Sequence, residues 1–499
     1  MSNLQKYFND FHETIKLGSE NDDLRTSRDA IKNKLSTSLK DYFESRYIKN
    51  PIFFDQGSYA MGTGIKPVNG DCSYDIDEGV KFDINTNDFP DPVEIKKSIK
   101  EALSEHTDLG TKIKQPCVRV IYSEDGKEKY HIDLAIYATN GNTSRDSIIG
   151  LGRGKEFSNK DKKYWQNAQP ELFIDLISNR FDNKYEKSQF QRVIRYLKRW
   201  KDLYFSLSGN SAPRGIALTV LAYKYFNPSF EFGGGPSDID ALINFVNKIK
   251  YSVVNTYLNG EYVERLVCRL PLEPYNDLFA KMSNKQMKRF LKKLNEFNEK
   301  LISAKNESIE DDACLTLGEL FGYDFPSPDI SKAFCKVKKP EIGYFPTHQE
   351  FQGFTNAPYK IRISGYLYVK NKLIPIPSNK NIIGSKHKLE FHASSMVRSN
   401  NLEYYWRVVN TGKHAQSLAE KETDKREIFR GGLDKAHLIK NVNGDVKVVP
   451  SDNRLITQES TSYTGKHWIE CLAFKNSICV AKSKPFYVNI YNSDFPYYD

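Results

Sequence analysis

The stretch that decides the fold carries three separated signals, which are Gln56-Gly57-Ser58, Asp75-Ile76-Asp77 and His131-Ile132-Asp133-Leu134. Short apolar or alternating runs surround each signal and predict strands. Residues i and i+2 of a strand point to the same face, so Asp75 and Asp77 project together while Ile76 points away. The apolar run around Asp133 predicts a central strand that carries a third carboxylate.

Three carboxylates gathered on one sheet face indicate a cation site, because they repel one another unless cations neutralise them. Hard oxygen ligands of this kind suit Mg²⁺ or Mn²⁺. Two such ions about 3.5–4 Å apart can activate an attacking hydroxyl and stabilise the leaving oxygen in phosphoryl transfer. Gly57 would let the backbone approach a phosphate, and the N–H and hydroxyl of Ser58 could hold it.

Each signal alone has a simpler interpretation. A Gly-Ser pair is usually a turn, an Asp-x-Asp is often a solvated strand face, and Asp133 could be a satisfied buried carboxylate. The order and spacing of all three signals serve one reaction, and this favours the functional interpretation.

Length and composition exclude several classes of protein. With 499 residues, of which 39% are apolar and 13% aromatic, the chain can bury more than one core and is not wholly disordered. No stretch approaches the ~18 apolar residues of a membrane span, and the polar start predicts no signal peptide. Seven cysteines without a CxxC pair argue against a disulfide framework and a zinc site, and they fit a reducing cytoplasm. The formal charge of +10 is compatible with nucleotides or nucleic acid and diagnostic of neither.

The hydrophobic pattern divides the chain into four regions. Residues 1–160 predict a long N-terminal helix followed by a mixed α/β sheet. Residues 161–325 show mostly helical spacing. The prolines of residues 326–355 predict a linker, and the alternation in residues 356–499 predicts a separate β-rich domain, in the form of a sandwich.

The motifs of the first 325 residues resemble a known superfamily. The segments that carry the resemblance are Gln56-Gly57-Ser58, Gly62-Thr63-Gly64-Ile65-Lys66-Pro67, Asp75-Ile76-Asp77, Ile132-Asp133 and the closing Leu320-Phe321-Gly322. They are similar to the polymerase-β-like nucleotidyltransferase core. More narrowly, they resemble the bacterial cyclic-oligonucleotide synthases of antiphage systems, relatives of cyclic GMP-AMP synthase and oligoadenylate synthase. The resemblance implies an α+β fold class: a polymerase-β-like mixed sheet with a helical second lobe, followed by a separate β-rich, sandwich-like C-terminal domain.

The same resemblance implies roles for single residues. Asp75, Asp77 and Asp133 would be the catalytic residues and would hold two Mg²⁺ or Mn²⁺ ions, and Asp133 would also help the acceptor hydroxyl attack. Phosphate would be bound by Gln56, Gly57, Ser58 and Lys198, although a lysine in this helical pattern could equally face solvent. Gly215 stands where many relatives carry a phosphate-binding serine, which makes Arg214 the candidate substitute. No His/Cys cluster matches the zinc insertion of the animal enzyme, so DNA sensing by that route is not supported.

Residues 358–490 carry a second resemblance. The segments Tyr405–Gly412, Phe429–Gly432 and Tyr463–Glu470 are similar to the adenylyl/guanylyl cyclase and nucleotidyltransferase-associated C-terminal sensor domain. This resemblance implies a ligand, and the candidate ligand-site residues are Trp406, Asn410, Arg430, Tyr463 and His467. Structural roles stay open for the same residues, since Trp406 or Trp468 could fill a core and Asn410 could form a turn.

Together these features predict a cytoplasmic, metal-dependent nucleotidyltransferase. It would condense ribonucleoside triphosphates into a cyclic or short linear oligonucleotide second messenger, release pyrophosphate and act in antiphage signalling. Its partners would be the triphosphates, an unknown activating ligand at the C-terminal domain and an effector that binds the product, with no membrane. Two alternatives stay open: transfer of a nucleotide to RNA or protein, and a non-catalytic nucleic-acid-binding module. The second could use a basic helix face (Lys285, Lys288, Arg289, Lys292 and Lys293), which a solvated surface explains as well.

Overall fold

The chain forms two compact units, Asn3–Asn306 and Glu307–Asp499, in a computed structural model. The structure describes residues 4–17, 20–40, 44–46, 48–68, 74–124, 127–205, 212–231, 233–258, 261–334, 361–395, 402–415, 417, 434–435, 454–475 and 478–494. The backbone of Asp75 is described and its side chain is not. Within the described ranges, no helix is long and apolar enough to cross a membrane.

A mixed sheet forms the first half of the first unit. Its strands are β1 (Ile52–Gln56), β2 (Tyr74–Phe82), β3 (Thr111–Ile113), β4 (Val118–Glu124), β5 (Lys127–Ala138), β6 (Ile149–Arg153) and β7 (Tyr164–Ala168). Among the described residues their order is β1-β2-β5-β4-β3, and β6 pairs with both β5 and β7. Strands β2 and β5 are parallel, whereas the other pairs are antiparallel. The mixed sheet predicted from the alternation is therefore confirmed.

The helices of the first unit cover one face of this sheet and build a second lobe. They are α1 (Gln5–Ile15), α2 (Glu20–Ser38), α3 (Gly57–Ala60), α4 (Pro92–Ala102), α5 (Pro170–Ser178), α6 (Lys184–Tyr204), α7 (Gly215–Tyr225), α8 (Asp238–Tyr251) and α9 (Asn284–Asn306), with a hairpin of β8 (Val254–Leu258) and β9 (Glu261–Arg265) before α9. Side-chain caps fix two of the helix starts, since Asp91 accepts from the Val93 N–H and Asn183 accepts from the Tyr185 N–H.

Even-numbered residues of the central strands point into the helical layer. Ile132, Leu134 and Ile136 of β5 are buried with apolar residues of α2 and α4 in one hydrophobic cluster. The opposite face carries the odd-numbered residues and therefore Asp77 and Asp133. The alternation thus separates the core side of the sheet from the side that bears the carboxylates.

The long N-terminal helix expected from the sequence is divided in two. Helix α1 ends at Ile15, and Lys16 adopts an extended conformation (φ −67°, ψ 150°). Lys16 forms an isolated antiparallel bridge with Ile65, and the Lys66 N–H donates to the Ile15 carbonyl at 2.7 Å. Pairing with the loop after α3 therefore ends the helix, a long-range contact that helical periodicity does not reveal.

The second unit is built on two sheets. It begins with α10 (Glu310–Phe321) and α11 (Pro328–Lys332) and continues with β10 (Ile361–Val369), β11 (Lys372–Ile376), β12 (Ile382–Gly384), β13 (Lys388–Ser395), β14 (Glu403–Val409), β15 (Asp434–Lys435), β16 (Arg454–Ser460), β17 (Gly465–Lys475), β18 (Ile478–Lys482) and β19 (Phe486–Tyr491). In the described residues one sheet has the order β11-β10-β13-β16, and the other β12-β19-β17-β14-β15 with β18 beside β17. One hydrophobic cluster joins residues of both sheets with Leu315 and Ile330 of the two helices. The predicted separate β-rich region is confirmed.

Contacts place α10 in the second unit, whereas the sequence grouped it with the helical lobe up to residue 325. Helix α11 occupies part of the predicted linker. It is stabilised there by the Ser327 cap at its start and by burial of Ile330. Residues 335–355 of that linker lie outside the described residues. The domain boundaries drawn from the sequence stay predictions.

Candidate active site

The register between β2 and β5 places the predicted carboxylates together. Asp77 is paired with Asp133, and Asp75 is paired with His131, in a parallel ladder. Paired residues on neighbouring parallel strands point to the same face, and the intervening Ile76 and Ile132 are fully buried on the other face. The three acidic positions therefore share one face and two adjacent strands.

Gly57 allows the backbone of α3 to lie against Asp77. Its φ is +67°, in the left-handed region that favours glycine. A Cβ at this position would lie 2.7 Å from Asp77 Cγ and would collide with Oδ2. The preceding Gln56 is paired with Asp77 across β1 and β2 and accepts a hydrogen bond from the Tyr137 hydroxyl at 3.0 Å. Glycine is therefore required where the chain passes the carboxylate.

Helix α6 holds the loop that follows α3. Four of its side chains donate hydrogen bonds to carbonyl oxygens of residues 61–66: Gln191 to Met61 at 3.2 Å, Arg195 to Gly62 at 2.5 Å and Gly64 at 3.1 Å, Lys198 to Thr63 at 2.9 Å, and Arg199 to Lys66 at 3.2 Å. The N–H groups of Met61, Gly62, Thr63 and Lys66 donate to backbone carbonyls, and the donors of α6 bind the carbonyl side, so α6 helps to fix the path of the loop.

Lys198 is buried, with 7% of its surface exposed, and it lines the cleft beside the carboxylates. Its ammonium group also donates to Thr63 Oγ1 at 3.2 Å. This burial excludes the solvent-facing interpretation of Lys198.

Arg214 is exposed, immediately precedes α7 and lines the same cleft. A Cβ on Gly215 would meet Lys198 Cε at 3.7 Å, an ordinary contact, so the position has room for a side chain.

The cleft has a volume of about 1180 Å³ and is lined by residues of both halves of the first unit. Typical small-molecule sites measure about 300–1,000 Å³, so the cleft has room for a ligand larger than most. Of the predicted residues, Gln56, Gly57, Ser58, Asp77, Lys198 and Arg214 line it. The cationic lining residues are Arg119, Arg153, Lys198, Lys201, Arg214 and Lys281, and the acidic ones are Asp77, Asp202, Glu273 and Asp277. The excess of cations suits a polyanion such as a triphosphate.

Arg119 of β4 is a site residue that the motifs do not reveal. Its Nε and Nη2 donate to Asp133 Oδ1 and Oδ2, both at 2.8 Å, in a bidentate pair. Burial lowers the pKa of the guanidinium, and the hydrogen bonds and charge of Asp133 outweigh this effect, so its net pKa is raised.

Among the described side chains, no group of three or more His, Cys, Asp or Glu is arranged to hold a metal ion.

The structure places the candidate ligand residues of the second unit in different environments. Trp406 is 3% exposed and fills the core between the sheets. His467 is 5% exposed; its Nδ1 accepts from the Thr411 N–H at 3.0 Å and its Nε2 donates to the Tyr463 carbonyl at 2.7 Å. Both ring nitrogens thus tie two loops together, and burial lowers the pKa of His467 to about 4. Asn410 is partly exposed and directly precedes Thr411, while Arg430 lies outside the described residues.

Two regions of the chain match the models of known protein families. Residues 51–137 match the model of the nucleotidyltransferase domain of DncV-like cyclic GMP-AMP synthases, and residues 344–491 match the adenylyl/guanylyl and SMODS C-terminal (AGS-C) sensor domain. The chain is therefore similar to DncV-like nucleotidyltransferases in its first unit and to AGS-C domains in its second.

Curated relatives match most of the length of the chain. A cyclic GMP-AMP synthase of Escherichia albertii is 22% identical over 456 residues, which cover 90% of this chain and 87% of the relative. A c-di-GMP synthase of Roseivirga ehrenbergii is 24% identical over 327 residues, covering 60% of this chain and 79% of the relative. The crystal structure of the Vibrio cholerae DncV cyclic AMP-GMP synthase superposes with a TM-score of 0.50 at 15% identity, covering 66% of this chain and 98% of that one. This likeness supports the nucleotidyltransferase fold of the first unit.

Proposed function

We propose that this protein condenses ribonucleoside triphosphates into a cyclic or short linear oligonucleotide, releases pyrophosphate and serves antiphage signalling. The observation that carries the proposal is the register of Asp77 with Asp133 beside Gly57, at the wall of a cation-lined cleft. The relatives named as cyclic dinucleotide synthases support the choice of product.

The donor set fits a divalent cation. Carboxylates are the ligands that Mg²⁺ and Mn²⁺ prefer, and the guanidinium of Arg119 already lies on Asp133 as a stand-in cation. We propose that Asp75, Asp77 and Asp133 hold two such ions. Bound there, the ions would polarise the donor phosphate and lower the pKa of the acceptor hydroxyl.

The residues of the cleft would then position the reactants. Ser58 and Lys198 would hold the phosphates of the donor, and Arg214, which directly precedes Gly215 and lines the same cleft, would supply a further cation. The acceptor hydroxyl releases its proton to solvent as its oxygen forms a bond to the α-phosphorus, the bond from that phosphorus to the bridging β-phosphate oxygen breaks, and pyrophosphate leaves. Asp133 would accept the hydrogen bond of the attacking hydroxyl and orient it. Repetition of the transfer within the linear product would close the ring.

We also propose that the second unit responds to a ligand and that a separate effector binds the product. The description of the AGS-C family as a sensor domain supports the first part. Trp406 and His467 hold the fold together, so a ligand would contact other residues. The five buried free cysteines among the described residues agree with the predicted reducing cytoplasm, which stays a prediction.

A product assay tests the enzyme. Purified protein receives the four labelled ribonucleoside triphosphates with Mg²⁺ or Mn²⁺, and phosphatase-resistant products are identified by mass spectrometry. Asp77→Asn should reduce product formation by at least 100-fold. The matched control is Asp83→Asn, just beyond the end of the same strand, where the carboxylate forms a surface ion pair with Lys49; its activity should stay within twofold of wild type. Full activity in Asp77→Asn, or label found only on RNA or protein, would contradict the proposal.

A further inference from the structure

Arg119 completes a row of charged side chains across three strands. Asp77 of β2 is paired with Asp133 of β5, and Asp133 is paired with Arg119 of β4. All three positions face the cleft side of the sheet. The side chain of Asp133 is 12% exposed and that of Arg119 is 28% exposed, so solvent screens their ion pair only in part.

The bidentate pair engages both oxygens of Asp133. A divalent ion needs at least one of these oxygens at about 2.0–2.1 Å. The ion would therefore bring two positive charges within a few ångströms of the guanidinium. Electrostatic repulsion would then destabilise the bidentate pair between Arg119 and Asp133. Metal and guanidinium compete for one carboxylate.

We propose that Arg119 is an internal counter-cation, which neutralises Asp133 until a divalent ion displaces it. The inference rests on the proposed function, since it concerns the same metal site. It explains how the carboxylate row stays stable without metal. Arg119 lines the cleft, so a displaced guanidinium would find new acceptors on a triphosphate bound there. Arg119 thus opposes metal binding most strongly when no nucleotide is present.

Calorimetric titration of the full chain with Mn²⁺, without nucleotide, tests the inference. Arg119→Met keeps the length of the side chain and removes its charge, and it should lower the Mn²⁺ dissociation constant about tenfold. Arg153→Met is the matched control. Arg153 lines the same cleft, and its buried Nε has no hydrogen-bond partner among the described residues, so its substitution should change the constant less than threefold. With a non-hydrolysable triphosphate present, the effect of Arg119→Met should shrink towards that of the control.

A double-mutant cycle separates direct competition from a general change of charge. In the Asp133→Asn background, Arg119→Met should no longer tighten Mn²⁺ binding beyond the control. Circular dichroism checks the fold, and Arg119→Lys, which cannot form a bidentate pair, gives an intermediate gain if Arg119→Met does not fold.

Unchanged or weaker Mn²⁺ binding in folded Arg119 variants would overturn the inference, because Arg119 would then only position Asp133. Absence of Mn²⁺ binding in every variant would overturn it as well. The proposed function is judged separately, by the product assay on Asp77→Asn. Loss of product in Asp77→Asn together with unaltered Mn²⁺ binding in Arg119→Met would support the proposed function and contradict the role of Arg119 as a counter-cation.

Discussion

Replacement of Gly57 by alanine probes the contact between backbone and carboxylate on which the site depends. The added Cβ would lie 2.7 Å from Asp77 Cγ and closer still to Oδ2. Carbon atoms in contact are about 3.5 Å apart. The carboxyl carbon must therefore retreat by about 0.8 Å, and the oxygen by more.

This displacement sets the expected loss of activity. A misplacement of about 1 Å in a reacting constellation can cost about 100-fold in rate, so we expect turnover to fall by about that factor. The backbone effect is separate: a φ of +67° costs alanine about 1–2 kcal/mol. That cost lowers stability without moving Asp77.

Gly110 offers the matched control, because its φ is also +67° and a Cβ there would meet nothing within 4 Å. Gly57→Ala and Gly110→Ala are compared by product formation from labelled triphosphates and by thermal unfolding. Both should lose similar stability, and Gly110→Ala should keep its turnover. The reasoning is refuted if Gly57→Ala retains more than half of wild-type turnover, or if Gly110→Ala loses as much.

Two further predictions concern the phosphate site and the second unit. In Gly215→Ser the new side chain has room beside Lys198. One added hydrogen bond to the triphosphate, of about 1 kcal/mol, should lower its KM about fivefold and leave the melting temperature unchanged. A higher KM in steady-state kinetics would contradict this prediction. Burial lowers the pKa of His467 from 6.5 to about 4. Between these two values the unfolded chain binds a proton at His467 and the folded chain does not. The free energy of unfolding therefore falls as the pH drops from 6.5 towards 4. Urea unfolding should show about 2 kcal/mol less stability at pH 5 than at pH 7 from this group, and His467→Gln should lack that part; equal pH dependence in both proteins would count against it.

The strands of the site could be predicted because their side chains alternate. Alternation predicts a strand from Tyr74 to Phe82, which are the bounds of β2, and it places Asp75 and Asp77 on one face. It does not give the partner strand. The parallel pairing with Asp133 depends on the connection between Phe82 and Lys127, the end of β2 and the start of β5, and a shift of one position would send Asp133 into the core.

Arg119 shows why the rest of the site could not be predicted. A regular hairpin that turned at the Asp-Gly dipeptide would pair Ser123 with Glu128. By the same count it would pair Arg119 with Ile132, on the core face. The structure has an irregularity between Tyr122 and Ser123, after which Tyr122 is paired with Tyr130 and Arg119 with Asp133. One extra residue in β5 therefore carries the guanidinium to the carboxylate. Nothing in the local sequence marks that bulge.

His467 illustrates a different limit. A histidine between a glycine turn and a tryptophan has the composition of a ligand-site rim, and the sequence leaves a ligand-binding and a structural role open for it. In the structure its two nitrogens bind the backbone of Thr411 and Tyr463 instead. A polar residue needed inside a fold and one needed by a ligand look alike until their partners are known.

The site also depends on a helix that carries only one of the predicted ligands. The loop of residues 61–66 follows α3 and takes its path from donors on α6, among them Arg195 and Lys198. Because Lys198 both lines the cleft and binds the Thr63 carbonyl, the position of the predicted phosphate ligand is coupled to the position of the loop after Ser58. The sheet supplies Asp77 and Asp133 of the proposed metal site, and the helical lobe supplies Lys198. Hydrogen bonds from α6 to this loop couple their positions, and in-line transfer between a held phosphate and an oriented hydroxyl depends on such fixed positions.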